Sequence, residues 1–233
     1  MSFFSRLFSR KPPLAPEAVQ RLADWEKLPE HCGQAQLDSA RFVVVDVETS
    51  GLNLARDRLI AIGAIAVERG RVVLGDSFEI IVQQQNASGK DNILIHGITG
   101  TAQTGGIAPA EALLRFLEFL GKDPLIAFHV TFDQTMIRRA LKEVLGLDFK
   151  HHWVDLAYIA PALHPELKNR HRSLDDWIGH FGIQNFSRHS ALADSLATAQ
   201  LFQVLAQSAR DKNILQFKGL QELEKAQRWV SWA

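Results

Sequence analysis

Val43-Val44-Val45-Asp46-Val47-Glu48-Thr49-Ser50-Gly51 is an apolar strand that delivers two carboxylates, two residues apart, and then stops. Side chains alternate across a strand, so Asp46 and Glu48 share one face while Val45 and Val47 take the other. Two like charges side by side are unfavourable unless a proton or a divalent cation relieves them, and hard cations such as Mg²⁺ prefer oxygen ligands of this kind. On this fragment alone, a strand end with two solvated acids is the competing reading. Downstream, Arg58 to Val67 and Val72 to Val82 are strand-like and flank the turn Glu68-Arg69-Gly70-Arg71. Three successive strands with short connections predict an antiparallel meander.

Helices and short strands then alternate. Pro109 opens a helix with Ala112, Leu113, Phe116, Leu117 and Leu120 at helical spacing, and Pro124 to Phe128 is a short buried strand. A helix from Phe132 to Leu145 follows, then a strand at Trp153-Val154-Asp155 and helices over Leu156 to Leu163, Ser173 to Phe181, Ser190 to Gln207 and Asn213 to Trp229. The order implies an α/β fold, a mixed sheet covered by helices. A short helix over Ala15 to Leu28, with Val19, Leu22 and Trp25 on one face, precedes it. The expected division is an N-terminal extension over 1–40, a core domain over 41–210 and a C-terminal helix over 211–233.

The chain has 233 residues, which suits one such domain with extensions. Lys plus Arg equals Asp plus Glu at 26 each, so no overall basic field marks a non-specific nucleic-acid coat; a local basic rim beside an acidic cleft can still hold a phosphate chain. The single cysteine, Cys32, excludes an internal disulfide and a thiolate metal cluster and fits a reducing, cytoplasmic setting. No stretch approaches the roughly 20 apolar residues of a membrane span. The basic, aromatic start Met1 to Lys11 has features of a presequence or a membrane-surface helix; the preferred reading is an end whose aromatics rest on a partner or on the domain.

Two further acids sit at expected helix starts. In Phe128-His129-Val130-Thr131-Phe132-Asp133-Gln134, Thr131 and Gln134 read as a capping box, which places Asp133 in a first turn where the helix dipole favours its ionised form. In Arg188-His189-Ser190-Ala191-Leu192-Ala193-Asp194, His189 precedes a long helix and Asp194 lies one turn in, with Leu192, Leu196, Ala199 and Phe202 as the expected core stripe. Each alone is ordinary helix-start chemistry.

Together, Asp46-Val47-Glu48-Thr49-Ser50-Gly51, Phe132-Asp133 and the His189…Asp194 pair resemble, in order, the three motifs of the DEDDh exonucleases of the DnaQ-like superfamily. Ile95-His96-Gly97-Ile98-Thr99, Val154-Asp155-Leu156 and Ser173-Leu174-Asp175 are supporting matches, and the resemblance covers Arg41 to Leu205. It implies an RNase H-like fold and a 3′-to-5′ exonuclease, closest in motif to the proofreading-subunit branch of bacterial DNA polymerase III and to repair enzymes. It also implies two Mg²⁺ or Mn²⁺ ions: Asp46 bridging, Glu48 and Asp194 completing the first, Asp133 serving the second directly or through water. His189 would be the general base. Thr49, Leu52, His96, Phe128 and His129 would border the terminal nucleotide, with Phe132 read as core. Phe128-His129 stands where the family usually has His-Asn, a change that bears on substrate preference.

The implied substrate is single-stranded or frayed DNA, releasing nucleoside monophosphates. RNA trimming is the alternative within the family, and a catalytically silent polymerase-associated binding domain the alternative outside it. Lys168, Arg170, Arg172 and Arg188 are candidate phosphate contacts or a solvated face. Phe3, Phe4, Phe8, Trp25, Trp229 and Trp232 in the flanks are candidate anchors for a polymerase or repair partner, or fold back onto the domain.

Overall fold

The computed structural model describes residues 13–30 and 34–232. The expectations for Met1 to Lys11 and for Cys32 lie outside the described residues, as does the side chain of Trp232.

The meander forms as expected. β1 (Arg41–Thr49) pairs antiparallel with β2 (Leu59–Glu68), and β2 with β3 (Arg71–Ile81). Arg69 and Gly70, with φ of 52° and 69°, make the β2–β3 turn, the positive-φ pair that suits the twist of a two-residue hairpin. On its other edge β1 pairs in parallel with β4 (Leu125–Ala127), which pairs in parallel with β5 (Trp153–Asp155), giving the sheet order β3-β2-β1-β4-β5. β2, β1 and β4 thus occupy the interior of the sheet, and helices cover both its faces.

Alternation along β1 decides which helices lie on which face. Val43, Val45 and Val47 pack with α4 (Pro109–Leu120) and α5 (Val130–Leu145), while Phe42 and Val44 pack with α6 (Leu156–Leu163), α7 (Leu174–His180), α8 (Ala191–Asp211) and α9 (Phe217–Trp232). Asp46 and Glu48 continue the Phe42, Val44 series. They therefore replace apolar residues at the end of the face that α8 covers.

The predicted α4 stripe is buried in full. The predicted α8 stripe is half right: Ala199 and Phe202 are buried, but Leu192 and Leu196 are only partly so. Small residues such as Ala191 and Ser195 take the closest contact instead, because α8 lies tightly on β1 and β2. In α1 (Pro16–Glu26) Trp25 is buried, its Nε1 donating to the Gly121 carbonyl at 2.8 Å, and Leu22 packs on the core, whereas Val19 is 51% exposed. This helix docks on α4 through Arg21, which reaches Glu111 and Glu118. Two short helices, α2 (Lys90–His96) and α3 (Gly100–Thr104), stand between β3 and α4.

The expected capping box at Thr131 and Gln134 does not form. The helix begins two residues earlier than Phe132, and His129 is its N-cap in the left-handed region, with φ 66°. A tertiary acceptor wins over the local one: the Asp155 carboxylate at the end of β5 takes the His129 N–H at 2.9 Å. Asp133 still falls in the first turn.

Candidate active site

Asp46 and Glu48 stand on β1, and Asp194 comes down on them from the first turn of α8. Oxygens of these three carboxylates lie within 4.8 Å of one another. Gly63 on β2, the register partner of Asp46, lets α8 come so close: a Cβ there would lie 2.2 Å from the backbone of Ala191 and Leu192. Ser195 Oγ donates to the Gly63 carbonyl at 2.8 Å, which fixes the helix at this depth.

Asp133 arrives from the opposite layer. β4 pairs with β1 only at Val43 and Val44, then turns into α5, and Asp133 Oδ1 accepts the Val47 N–H at 3.2 Å where a longer strand would have done so. It is buried and lies outside the mutual triad, yet close enough for its charge to raise the pKa values of Asp46 and Glu48.

His189 is exposed, in a loop, with φ 61°, as its place before the helix predicts. Asp194 anchors that loop: its Oδ2 accepts the His189 N–H at 3.0 Å and its Oδ1 accepts from the Asn185 amide and the Arg188 guanidinium. Arg188 also reaches Asp175 in the first turn of α7 at 2.9 Å. Its guanidinium thus bridges two carboxylates.

The expected substrate residues differ in availability. Leu52 is 86% exposed just beyond β1, and His129 is exposed. Phe128 is half-buried and meets the His129 ring edge-on. Thr49 is buried, its hydroxyl donating to the Gly51 carbonyl at 2.7 Å. His96 is buried with both ring nitrogens in use: Nδ1 accepts from Ile98 N–H and Nε2 meets Asn92 Oδ1, so it braces the turn after α2. Phe132 packs against the core, as read.

Sequence reasoning missed Gly63, Asn185 and a brace from the C-terminal helix. Asp155 is 1% exposed and accepts from His129 N, Ala157 N and Arg228 Nη2, while its own N–H goes to Glu224. Arg228 also lies over the Tyr158 ring at 3.9 Å. Glu224 and Arg228 in α9 thereby steady the turn that leads to His129 and Asp133. Removing one partner of a largely buried charged bond leaves the other poorly satisfied. Arg228→Met is expected to cost about 1–3 kcal/mol, the lower part of that scale because Arg228 is partly exposed. Urea denaturation measures it.

Burial and mutual repulsion hold the acids in an unusual state. Desolvation, then Asp194 and Asp133, pushes the Glu48 carboxyl up to about 8, Arg188 opposing. Asp46 is raised well above the ordinary carboxylate range by burial and by Asp133, Asp194 and Glu48, and Asp133 is raised by burial. An all-oxygen, crowded, anionic donor set of this kind fits a hard divalent cation. A folded pKa above the unfolded value means that the folded state binds more protons through the window between them, so stability falls as pH rises there. In EDTA the melting temperature should drop between about pH 5 and pH 8, and Mg²⁺ should restore more of it at pH 8 than at pH 5. A flat profile, or restoration equal at both pH values, would contradict this reading of the cluster.

A five-stranded mixed sheet with a carboxylate cluster where its central strand ends defines the class, an RNase H-like α/β domain. A family model described as exonuclease, of the RNase T type, matches residues 43–202. The chain belongs to that exonuclease family, in its DnaQ-like 3′-to-5′ branch. Among its relatives are DNA polymerases III of the PolC type: that of Thermotoga petrophila is 33% identical over 168 residues, 72% of this chain and 12% of the polymerase, and that of Bacillus subtilis 30% identical over 179 residues, 76% and 12%. The chain spans about an eighth of the length of these relatives. The fold is also that of Escherichia coli Exonuclease I, solved with a dT13 oligonucleotide, with TM-score 0.64 at 19% identity over 75% of this chain and 42% of that one. Cell-death related nuclease 4 gives TM-score 0.63 at 14% identity over 77% and 66%. Among the described residues, no helix is long and apolar enough to cross a membrane.

Proposed function

We propose that this chain removes nucleotides from the 3′ end of single-stranded or frayed DNA, hydrolysing the terminal phosphodiester and releasing nucleoside monophosphates. The observation that carries the reading is the meeting of Asp46, Glu48 and Asp194, from a strand and a distant helix, beside an exposed histidine whose loop is tied to one of them. Asp46, Glu48 and Asp194 would hold a divalent cation, Mg²⁺ or Mn²⁺, with Asp133 adjoining and serving a second. Bound there, the ions supply positive charge against the phosphodiester oxygens as negative charge grows on them.

The protein's own part is to position and to move a proton. His189, on its exposed loop, takes a proton from the attacking water. Asn185 and Arg188 keep that loop registered against Asp194. Leu52 and the Phe128-His129 turn border the terminal nucleotide. Exonuclease I with its dT13 strand supports a single-stranded DNA substrate, and the PolC-type relatives support a replication setting. Trp229, 73% exposed on α9, is the candidate anchor for a polymerase partner.

His189→Ala should slow hydrolysis by about 10²-fold or more with Mn²⁺ affinity retained. A near-normal rate would remove His189 from this role. The reaction itself is tested with 5′-labelled single-stranded DNA and RNA of matched sequence in Mg²⁺, Mn²⁺ or EDTA. A stepwise ladder from the DNA with metal only is expected; a ladder from RNA alone moves the substrate to RNA, and no ladder from either contradicts the proposal.

A further inference from the structure

A cavity lies away from the acids, between the start of β2, the end of β3 and helices α4 and α5. Its volume is about 240 Å³, and its wall includes the buried Leu59, Leu113 and Met136. Arg58 and Arg139 line it from the solvent side of the fold, with Gln83 to Gln85 beside them. Neither arginine belongs to the carboxylate cluster.

Its position follows from α5. That helix begins at the cluster with Asp133, and Arg139, six residues on, lies ~9 Å further along the axis at ~1.5 Å per residue. The segment 50–58, which carries Leu52, leads from the end of β1 beside the cluster to the start of β2 at the cavity wall. Arg139 ties this segment to α5 by donating to the Leu54 carbonyl, and Arg58, at its end, donates to the Asn86 carbonyl at 3.1 Å. One segment and one helix thus connect the cluster to the cavity.

We infer that the Arg58–Arg139 cavity is an auxiliary nucleotide subsite that receives one unpaired base of the bound strand, upstream of its 3′ end. The inference rests on the nucleic-acid substrate proposed above. The volume is below the roughly 300–1,000 Å³ of sites that engulf a small molecule, so it takes a ring and leaves the sugar and phosphate outside. Apolar walls hold a base face without reading sequence. The Gln84 amide nitrogen donates to the Leu59 and Val82 carbonyls and that of Gln83 to the Thr104 carbonyl, so these side chains present chiefly their amide oxygens to a base edge. Beyond the N–H groups given to the Asn86 and Leu54 carbonyls, the two guanidinium groups keep further donors, and these would meet the strand's phosphate. Glu143, 3.5 Å from Arg139 Nε, also lines the cavity, leaving two positive groups against one negative, a modest attraction that steers a strand without trapping it.

The test is equilibrium binding of 5′-fluorescein-labelled thymidine oligonucleotides, measured by anisotropy with Mg²⁺ on the Asp46→Asn background, so that binding is read apart from hydrolysis. Affinity should rise with length until the subsite fills, and an abasic residue moved along the strand should weaken binding by about tenfold at one internal position. Ala140→Leu, which fills the cavity without changing charge, and the Arg58→Gln, Arg139→Gln pair should each erase both effects; thermal melts confirm that each variant is folded. Scans that remain unchanged in the folded variants, or a wild-type scan with no internal position of loss, would overturn the subsite. Failure of the uncomplicated protein to produce a ladder with Mg²⁺ or Mn²⁺ would instead strike the proposed reaction.

Discussion

Asp46→Asn is expected to bring hydrolysis below detection while the protein stays folded. Asp46 belongs to the carboxylate triad, and beside its burial the charges of Asp133, Asp194 and Glu48 all raise its pKa. The amide is nearly the same size, so packing against Gly63 and α8 survives. It removes the charge that a divalent ion at this point requires, and an amide is a much weaker ligand than a carboxylate for a hard cation. The same change relieves repulsion, so the metal-free variant should melt higher than the parent at pH 8. Loss of activity together with a gain in stability is the combined signature. A variant with appreciable activity, measured on the 5′-labelled strand, would remove Asp46 from the site.

Gly63→Ala should be the most damaging single methyl addition in the sheet. The added Cβ meets backbone atoms of Ala191 and Leu192 at 2.2 Å, and backbone cannot rotate away as a side chain can. Overpacking costs ~1–3 kcal/mol where neighbours can shift, and more where they cannot. To accommodate it, α8 must rise from β2, carrying Asp194 away from Asp46 and breaking the Ser195 to Gly63 bond. Expected are a loss of stability of about 3 kcal/mol or more in urea denaturation and a Mn²⁺ affinity reduced at least tenfold. Gly75, with nothing within 4 Å of its would-be Cβ, is the control: Gly75→Ala should leave both measurements nearly unchanged. Equal behaviour of the two variants would mean that the depth of α8 does not govern the site.

The two substitutions mark what the sequence makes legible. Alternation alone put Asp46 and Glu48 on one face, and helical spacing alone found the α4 stripe, because both depend on a period within one element. The motif order brought Asp133, His189 and Asp194 into consideration, through a family resemblance. Gly63 was silent: in Leu59-Ile60-Ala61-Ile62-Gly63-Ala64 it reads as one more small strand residue, and its necessity comes from a helix far along the chain. Asp155 was noticed only as part of a supporting match. Its work depends on Arg228 and Glu224, which no local pattern connects to it.

The errors have the same origin. Thr131 and Gln134 carry the letters of a capping box, but Asp155 supplies a tertiary acceptor to His129 and the helix starts earlier. Leu192 and Leu196 look like core residues of α8; Leu196 packs against the core while partly exposed, and Leu192 is only partly buried, because the small Ala191 and Ser195 take the close approach at Gly63.

The central claim is that Asp46, Glu48 and Asp194 form one cation site. Anomalous diffraction from crystals soaked in Mn²⁺ tests it directly. The account predicts a peak within ~2.0–2.3 Å of carboxylate oxygens from at least two of these residues, in the range of hard-cation coordination. Manganese density confined to other acids, with these three carboxylates undisturbed and open to solvent, would contradict it.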